Sequence, residues 1–227
     1  MKYLFVFLDS SVGQKAVAAA TGLGLIAFVV IHMIGNLQVF LGPDAINSYA
    51  VKLKNLGPLL WVARGGLLLL FAMHIAMTVR LRFRNRAARN SRYALNRPQA
   101  STSSSRFMIV SGSIILLFVI FHLLHFTFGV IQPQSYSLVD AEGRHDIYSM
   151  VTRDFTNWAI AGFYLVAMLF LCSHLSHAMF SAWQSLGTNI GGGDTRVKTV
   201  ARYLAVLTVF GFASIPIAAL VGWFSGK

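Results

Sequence analysis

Six of the seven histidines in this 227-residue chain lie inside long apolar runs. Residues 114–130 read IILLFVIFHLLHFTFGV, a stretch with no charge and two imidazoles, His122 and His125. An ionisable group at membrane depth is costly without a partner and is a functional-site candidate by default. His32, His74 and the pair His174 and His177 sit in three further runs of the same kind. Imidazole is a common metal ligand, and His122 reads as one that faces the inside of a helix bundle.

The elements that position these histidines follow from hydropathy. The composition is 56% hydrophobic and 11% charged, a membrane protein's balance. A membrane helix needs roughly 20 mainly apolar residues, and five segments qualify: residues 15–41, 59–79, 107–131, 155–186 and 203–224. Period-two alternation over strand length is missing, which argues against a β-barrel. The expected fold is an all-α integral membrane protein, one transmembrane domain over residues 1–227, with a four-helix histidine-bearing bundle and a fifth helix. Residues 1–8 are apolar but short and lack a secretory-signal pattern; they read as an interfacial segment. The lone Cys172 rules out an intrachain disulfide and a cysteine-ligated iron–sulfur cluster within the chain.

The net charge is +12, but its placement points to membrane topology rather than to nucleic acid. Arg80, Arg82, Arg84, Arg86, Arg89, Arg92, Arg97 and Arg106 all fall between the second and third segments. By the positive-inside rule this loop is cytoplasmic, and so is the N-terminus. Thirteen Lys and Arg residues then lie inside and six outside. The arginine cluster also suits anionic lipid headgroups or an acidic partner. The stretches 101–105 and 191–193 read as small-residue linkers, and Pro216 as a bend in the fifth helix.

Topology sorts the histidines by depth. Read along alternating helices, His32 and His122 lie toward the outer side, and His74 and His174 toward the inner side. Two imidazoles facing each other across a bundle can hold a haem iron from both sides, leaving no open coordination site. Two such haems at different depths make an electron path across much of a hydrocarbon core about 30 Å thick. Zinc or copper wants three or four converging ligands. Proton relays usually add carboxylates, and all seven acidic residues fall outside the expected helix interiors. His125 and His177, each three residues after a proposed ligand and on nearly the same face, are alternative ligands or neighbours for a propionate or quinone. His145 reads as solvated in a polar loop. Gly35 and Gly129 would let a macrocycle approach the backbone or helices pack closely. Lys15, Arg64 and Arg80 are candidate propionate partners or snorkelling anchors.

The motifs FVVIHMIGN, LFAMHIAM, LLFVIFHLLHFTFG and CSHLSHAMFSAWQSLG resemble the two-haem, five-helix cytochrome b subunit of succinate dehydrogenase and fumarate reductase, in its single-chain form. The resemblance covers nearly the whole chain. It implies two b haems, one on His32 and His122 and one on His74 and His174, and it favours His122 over His125 and His174 over His177. It also implies a flavoprotein subunit and an iron–sulfur subunit docked on the cytoplasmic face of a bacterial inner membrane, with a quinone, expected to be menaquinone, as redox partner. The dicarboxylate active site would lie in those partners. Topology puts Asn36, Gln38, Ser48, Tyr49, Lys54 and Arg64 near the outer haem as quinone candidates. The competing readings are a dihaem anchor of a nitrate reductase, hydrogenase or formate dehydrogenase, a cofactor-free transporter, and a structural scaffold.

Overall fold

The computed structural model describes residues 2–88, 107–187 and 195–225. The linker stretches 101–105 and 191–193, and Arg89, Arg92, Arg97 and Arg106, lie outside the described residues. Among the described residues the chain is helical, with one isolated bridge between Val139 and His145. In order, the helices are α1 (Lys2–Asp9), α2 (Ser11–Leu37), α3 (Pro43–Lys54), α4 (Pro58–Ala87), α5 (Met108–His122), α6 (Pro133–Tyr136), α7 (Ile147–Asp154), α8 (Trp158–Ser185) and α9 (Thr195–Leu220). A 3₁₀ turn, Gln38–Leu41, extends α2, and a π-helical turn, Leu123–Thr127, follows α5.

The five segments carrying α2, α4, α5, α8 and α9 are long and apolar enough to cross a membrane. Their ends differ from the hydropathy boundaries for local reasons. Helix α4 runs on through Arg80–Arg86, since arginine is a good helix former and its charge is favoured at a helix C-terminus. The third span stops short of residue 131 because the backbone turns left-handed at Gly129, with φ +65°. Helix α9 begins at Thr195, eight residues before the apolar run, and continues through Pro216. Side-chain caps start two of the spans: Ser10 Oγ accepts from Gly13 N–H at 2.9 Å, and Asn157 Oδ1 accepts from Ala159 N–H at 3.0 Å.

Helices α2, α8 and α9 pack on one another; α4 lies against α2, and α5 against α8. The fifth span packs on α2 and α8. Its inward face is built from Ala201, Ala205, Thr208, Gly211, Ala218 and Ala219, all buried, and small side chains let helix backbones approach. No residue of α4 is buried. Its Leu59, Trp61, Leu68 and Leu69 point outward at 61–69% exposure, a surface suited to lipid rather than water.

The loop after α5 folds over one end of the helices. Asn47 of α3, fully buried, donates to Asp140 Oδ2 at 3.0 Å and Asp146 Oδ1 at 3.1 Å, and accepts from Tyr148 N–H at 3.1 Å. Arg144 bonds Asp140 at 2.7 Å and Asp44 at 2.8 Å. His145 is not solvated: its Nε2 bonds the Tyr136 carbonyl at 2.6 Å. At the other end Asp9 takes the guanidinium of Arg80, and Arg84 donates to the Asp9 carbonyl.

Burial raises the Asp140 carboxyl, but hydrogen bonds from Arg144 and Asn47 outweigh it and bring it down to about 2. A carboxylate depressed below its unfolded value of about 3.9 stabilises the fold above that pH and loses the contribution as pH falls toward the folded value. Arg144→Gln is therefore expected to lower the melting temperature at neutral pH. The gap to the wild type should shrink once the pH drops below about 4; a pH series of thermal melts in detergent checks this.

Candidate functional site

His122 is the last residue of α5, and His32 lies in the last turns of α2. Their ring centroids are 5.9 Å apart and their planes nearly perpendicular, at 85°. Aromatic rings hold both imidazoles. Phe28 stacks on His32 at 5.4 Å and Phe212 lies 5.8 Å away, while Phe118 and Phe126 flank His122 at 5.9 and 5.8 Å. Asn36 donates to the His32 carbonyl at 2.8 Å, its amide 3.3–3.4 Å from both His32 ring nitrogens.

His74 and His174 sit toward the opposite end, His74 beside the first half of α2 and His174 beside the start of α5. Each rests on a neighbouring helix beside a glycine, and at Gly22 the missing Cβ leaves room for the ring. A Cβ at Gly22 would lie 3.1 Å from His74 Cε1, and one at Gly112 would lie 3.5 Å from His174 Cε1. His74 Nδ1 bonds the Ala18 carbonyl at 3.1 Å, with Thr21 Oγ1 at 3.5 Å. His174 Nδ1 bonds Ser111 Oγ at 3.1 Å, and that hydroxyl donates to the Met108 carbonyl.

These bonds settle the tautomers. A carbonyl only accepts, so His74 Nδ1 carries the proton. With the Ser111 hydroxyl donating to Met108, its oxygen is free to accept from His174 Nδ1–H. In both rings Nε2 keeps the lone pair, the arrangement a metal-ligating histidine needs.

His125 differs. It lies on the π turn, is 1% exposed and uses both nitrogens, Nδ1 with Tyr164 OH and Nε2 with Asp154 Oδ2, each at 3.0 Å. Asp154 is buried as well. The acidic residue that ends α7 is thus drawn into the helix assembly rather than left in a solvated loop. His177 lies one turn beyond His174 and is half-buried. Among the described residues no three His, Cys, Asp or Glu side chains converge as a metal-holding group; His32 and His122 meet ring to ring.

The other candidates are spread out. Lys15, Lys54 and Arg64 are exposed, and Arg64 lies 5.0 Å over the Trp61 ring. Gln38 opens the 3₁₀ turn. Ser48 accepts from Arg144 at 2.8 Å and donates to Asp44 at 3.2 Å. The two glycines singled out in the sequence accommodate tyrosines. A Cβ at Gly35 would meet the Tyr49 hydroxyl at 2.9 Å, and one at Gly129 would meet the Tyr136 ring at 2.3 Å. Gly129 lies beyond the π turn, not two turns along the face of His122. Sequence reasoning missed Thr21, Gly22, Ser111, Gly112 and Tyr164; a polar–glycine pair, TG or SG, in an apolar span is the signal that would have found the first four.

No family model matches this chain, and neither the curated proteins nor the solved structures give a match.

Proposed function

We propose that the chain is a dihaem b-type cytochrome that anchors a succinate- or fumarate-converting complex in a bacterial inner membrane and links its iron–sulfur subunit to membrane quinone, menaquinone being the expected one. The observation that carries this reading is the placing of imidazoles at both ends of the helices, with Nδ1 of His74 and of His174 bonded to protein oxygens. Nε2 is then left to bind iron on His74 and His174. The other pair, His32 and His122, has ring centroids 5.9 Å apart and would hold the second haem.

When bound, haem iron held by two histidines exchanges single electrons and has no open site for oxygen or substrate. The protein's part is to hold the imidazoles, fix their tautomers and exclude water with Phe28, Phe118, Phe126 and Phe212. Asn36 and Tyr49, near His32, are the polar groups best placed to meet a quinone head at that end. The iron–sulfur and flavoprotein partners would dock at the end where Asp9 pairs with Arg80.

The test is a reduced-minus-oxidised absorption spectrum of the purified chain with haem quantified. About two low-spin b haems per chain is the expected result. A folded preparation grown with ample haem that contains none sinks the reading.

A further inference from the structure

The buried end of the helix assembly holds a line of four polar groups: His122, Tyr164, His125 and Asp154. Tyr164 OH lies 3.4 Å from His122 Nδ1 and 3.0 Å from His125 Nδ1, and His125 Nε2 lies 3.0 Å from Asp154 Oδ2. The His125 and Asp154 side chains are 0% and 3% exposed. Phe126 stacks on His125 with centroids 3.9 Å apart, and Phe155 and Phe118 meet the Tyr164 ring edge-on at 4.9 and 5.1 Å. A carboxylate buried among aromatic rings is retained only when paired.

Taken with Asp154 as the accepting end, the line has one direction. A carboxylate accepts, so His125 donates from Nε2. With that proton on Nε2, His125 accepts at Nδ1, which makes Tyr164 the donor of its O–H. The Tyr164 oxygen is left to accept from His122 Nδ1–H, and the free lone pair of His122 falls on Nε2. The π turn of residues 123–127 supports this arrangement, since it is the widened turn that carries His125; such turns recur at functional sites.

We propose that Tyr164, His125 and Asp154 are positioning residues for His122: they fix its tautomer and ring orientation and pass the carboxylate's electron density toward its Nε2. The proposal rests on His122 being an axial ligand and adds how that ligand is tuned. A hydrogen-bonded chain polarises its members in one direction, and a more basic ligand stabilises the oxidised metal.

The experiment is a redox titration, followed by absorption and electron paramagnetic resonance, of the full-length chain in detergent. It compares the wild type with Asp154→Asn and Tyr164→Phe, each of which keeps the side chain's shape. The haem in question is the component absent from His122→Ala. Both variants are expected to keep two haems and to favour reduction of that haem by about tenfold, 59 mV for one electron, leaving the other haem unmoved. Unchanged potentials in haem-replete variants overturn the string while leaving the cytochrome reading intact. Shifts of opposite sign in the two variants overturn the direction of the bonds. A haem-free wild type overturns both readings. Should Asp154→Asn fail to fold, Tyr164→Phe alone decides, since it removes a single hydroxyl.

Discussion

Alanine at any one of His32, His74, His122 or His174 is expected to lower the haem content from about two to about one per chain. The loss should follow the pairs. His32→Ala and His122→Ala should remove the same spectral component, and His74→Ala and His174→Ala the other. For His32 and His122 the grouping has a geometric origin, since their rings face each other at 5.9 Å; His74 and His174 are grouped by their place at the opposite end, where Ala18 and Ser111 brace them. A single imidazole does not replace the second bond, so binding on the affected side should fail rather than weaken slightly. His125→Ala should behave differently. It leaves all four paired imidazoles in place and strips Asp154 of its partner, so the expected result is destabilisation with both haems retained. Haem quantification with difference spectra separates the cases. Loss of both haems from each single variant, in folded protein, would contradict the assignment of two independent pairs.

Gly129→Ala is expected to destabilise the fold by about 3 kcal/mol, adding the cost of a left-handed backbone at a residue with a Cβ to that of overpacking. The added carbon would sit 2.3 Å from the Tyr136 ring, so the tyrosine must leave. Tyr136 in turn holds the Thr127 carbonyl through its hydroxyl at 3.0 Å and packs edge-on against His145 at 4.9 Å. The loop that carries Asp154 toward His125 begins at this turn. Thermal melts should show a drop of roughly 6–12 °C, at 2–4 °C per kcal/mol for a chain of this size. An unchanged melting temperature would mean that Tyr136 and the turn readjust at little cost. Gly35→Ala makes a useful comparison: its backbone is ordinary helix, so only the contact with Tyr49 is disturbed.

Much of the architecture was legible in the linear pattern, because lipid-compatible helices need long uncharged runs and those runs are visible without folding anything. The same pattern put His32 and His122 toward one end and His74 and His174 toward the other, since successive spans traverse in opposite directions. Periodicity did not distinguish His122 from His125. Three residues apart on one helix, they look alike. What separates them is a π turn, a tyrosine 39 residues from His125 and an aspartate 29 residues from it, contacts that exist only once α7 and α8 have packed.

Asp154 shows the same limit. Counted along the chain it belongs to a polar loop; in three dimensions that loop is stapled to α3 through Asn47 and Arg144, and its last helix presents the carboxylate inward. The packing of α9 on α2 and α8 was likewise hidden, because hydropathy reports that a helix is apolar and not which neighbour its small residues let in. The sequence by itself determined which residues form the apolar helices and toward which end of them each imidazole sits, since both depend on local composition and order. Which nitrogen each ring presents, and which histidine is tied to a buried carboxylate, was decided by the tertiary structure, because a tautomer is set by a hydrogen-bond partner that comes from another part of the chain.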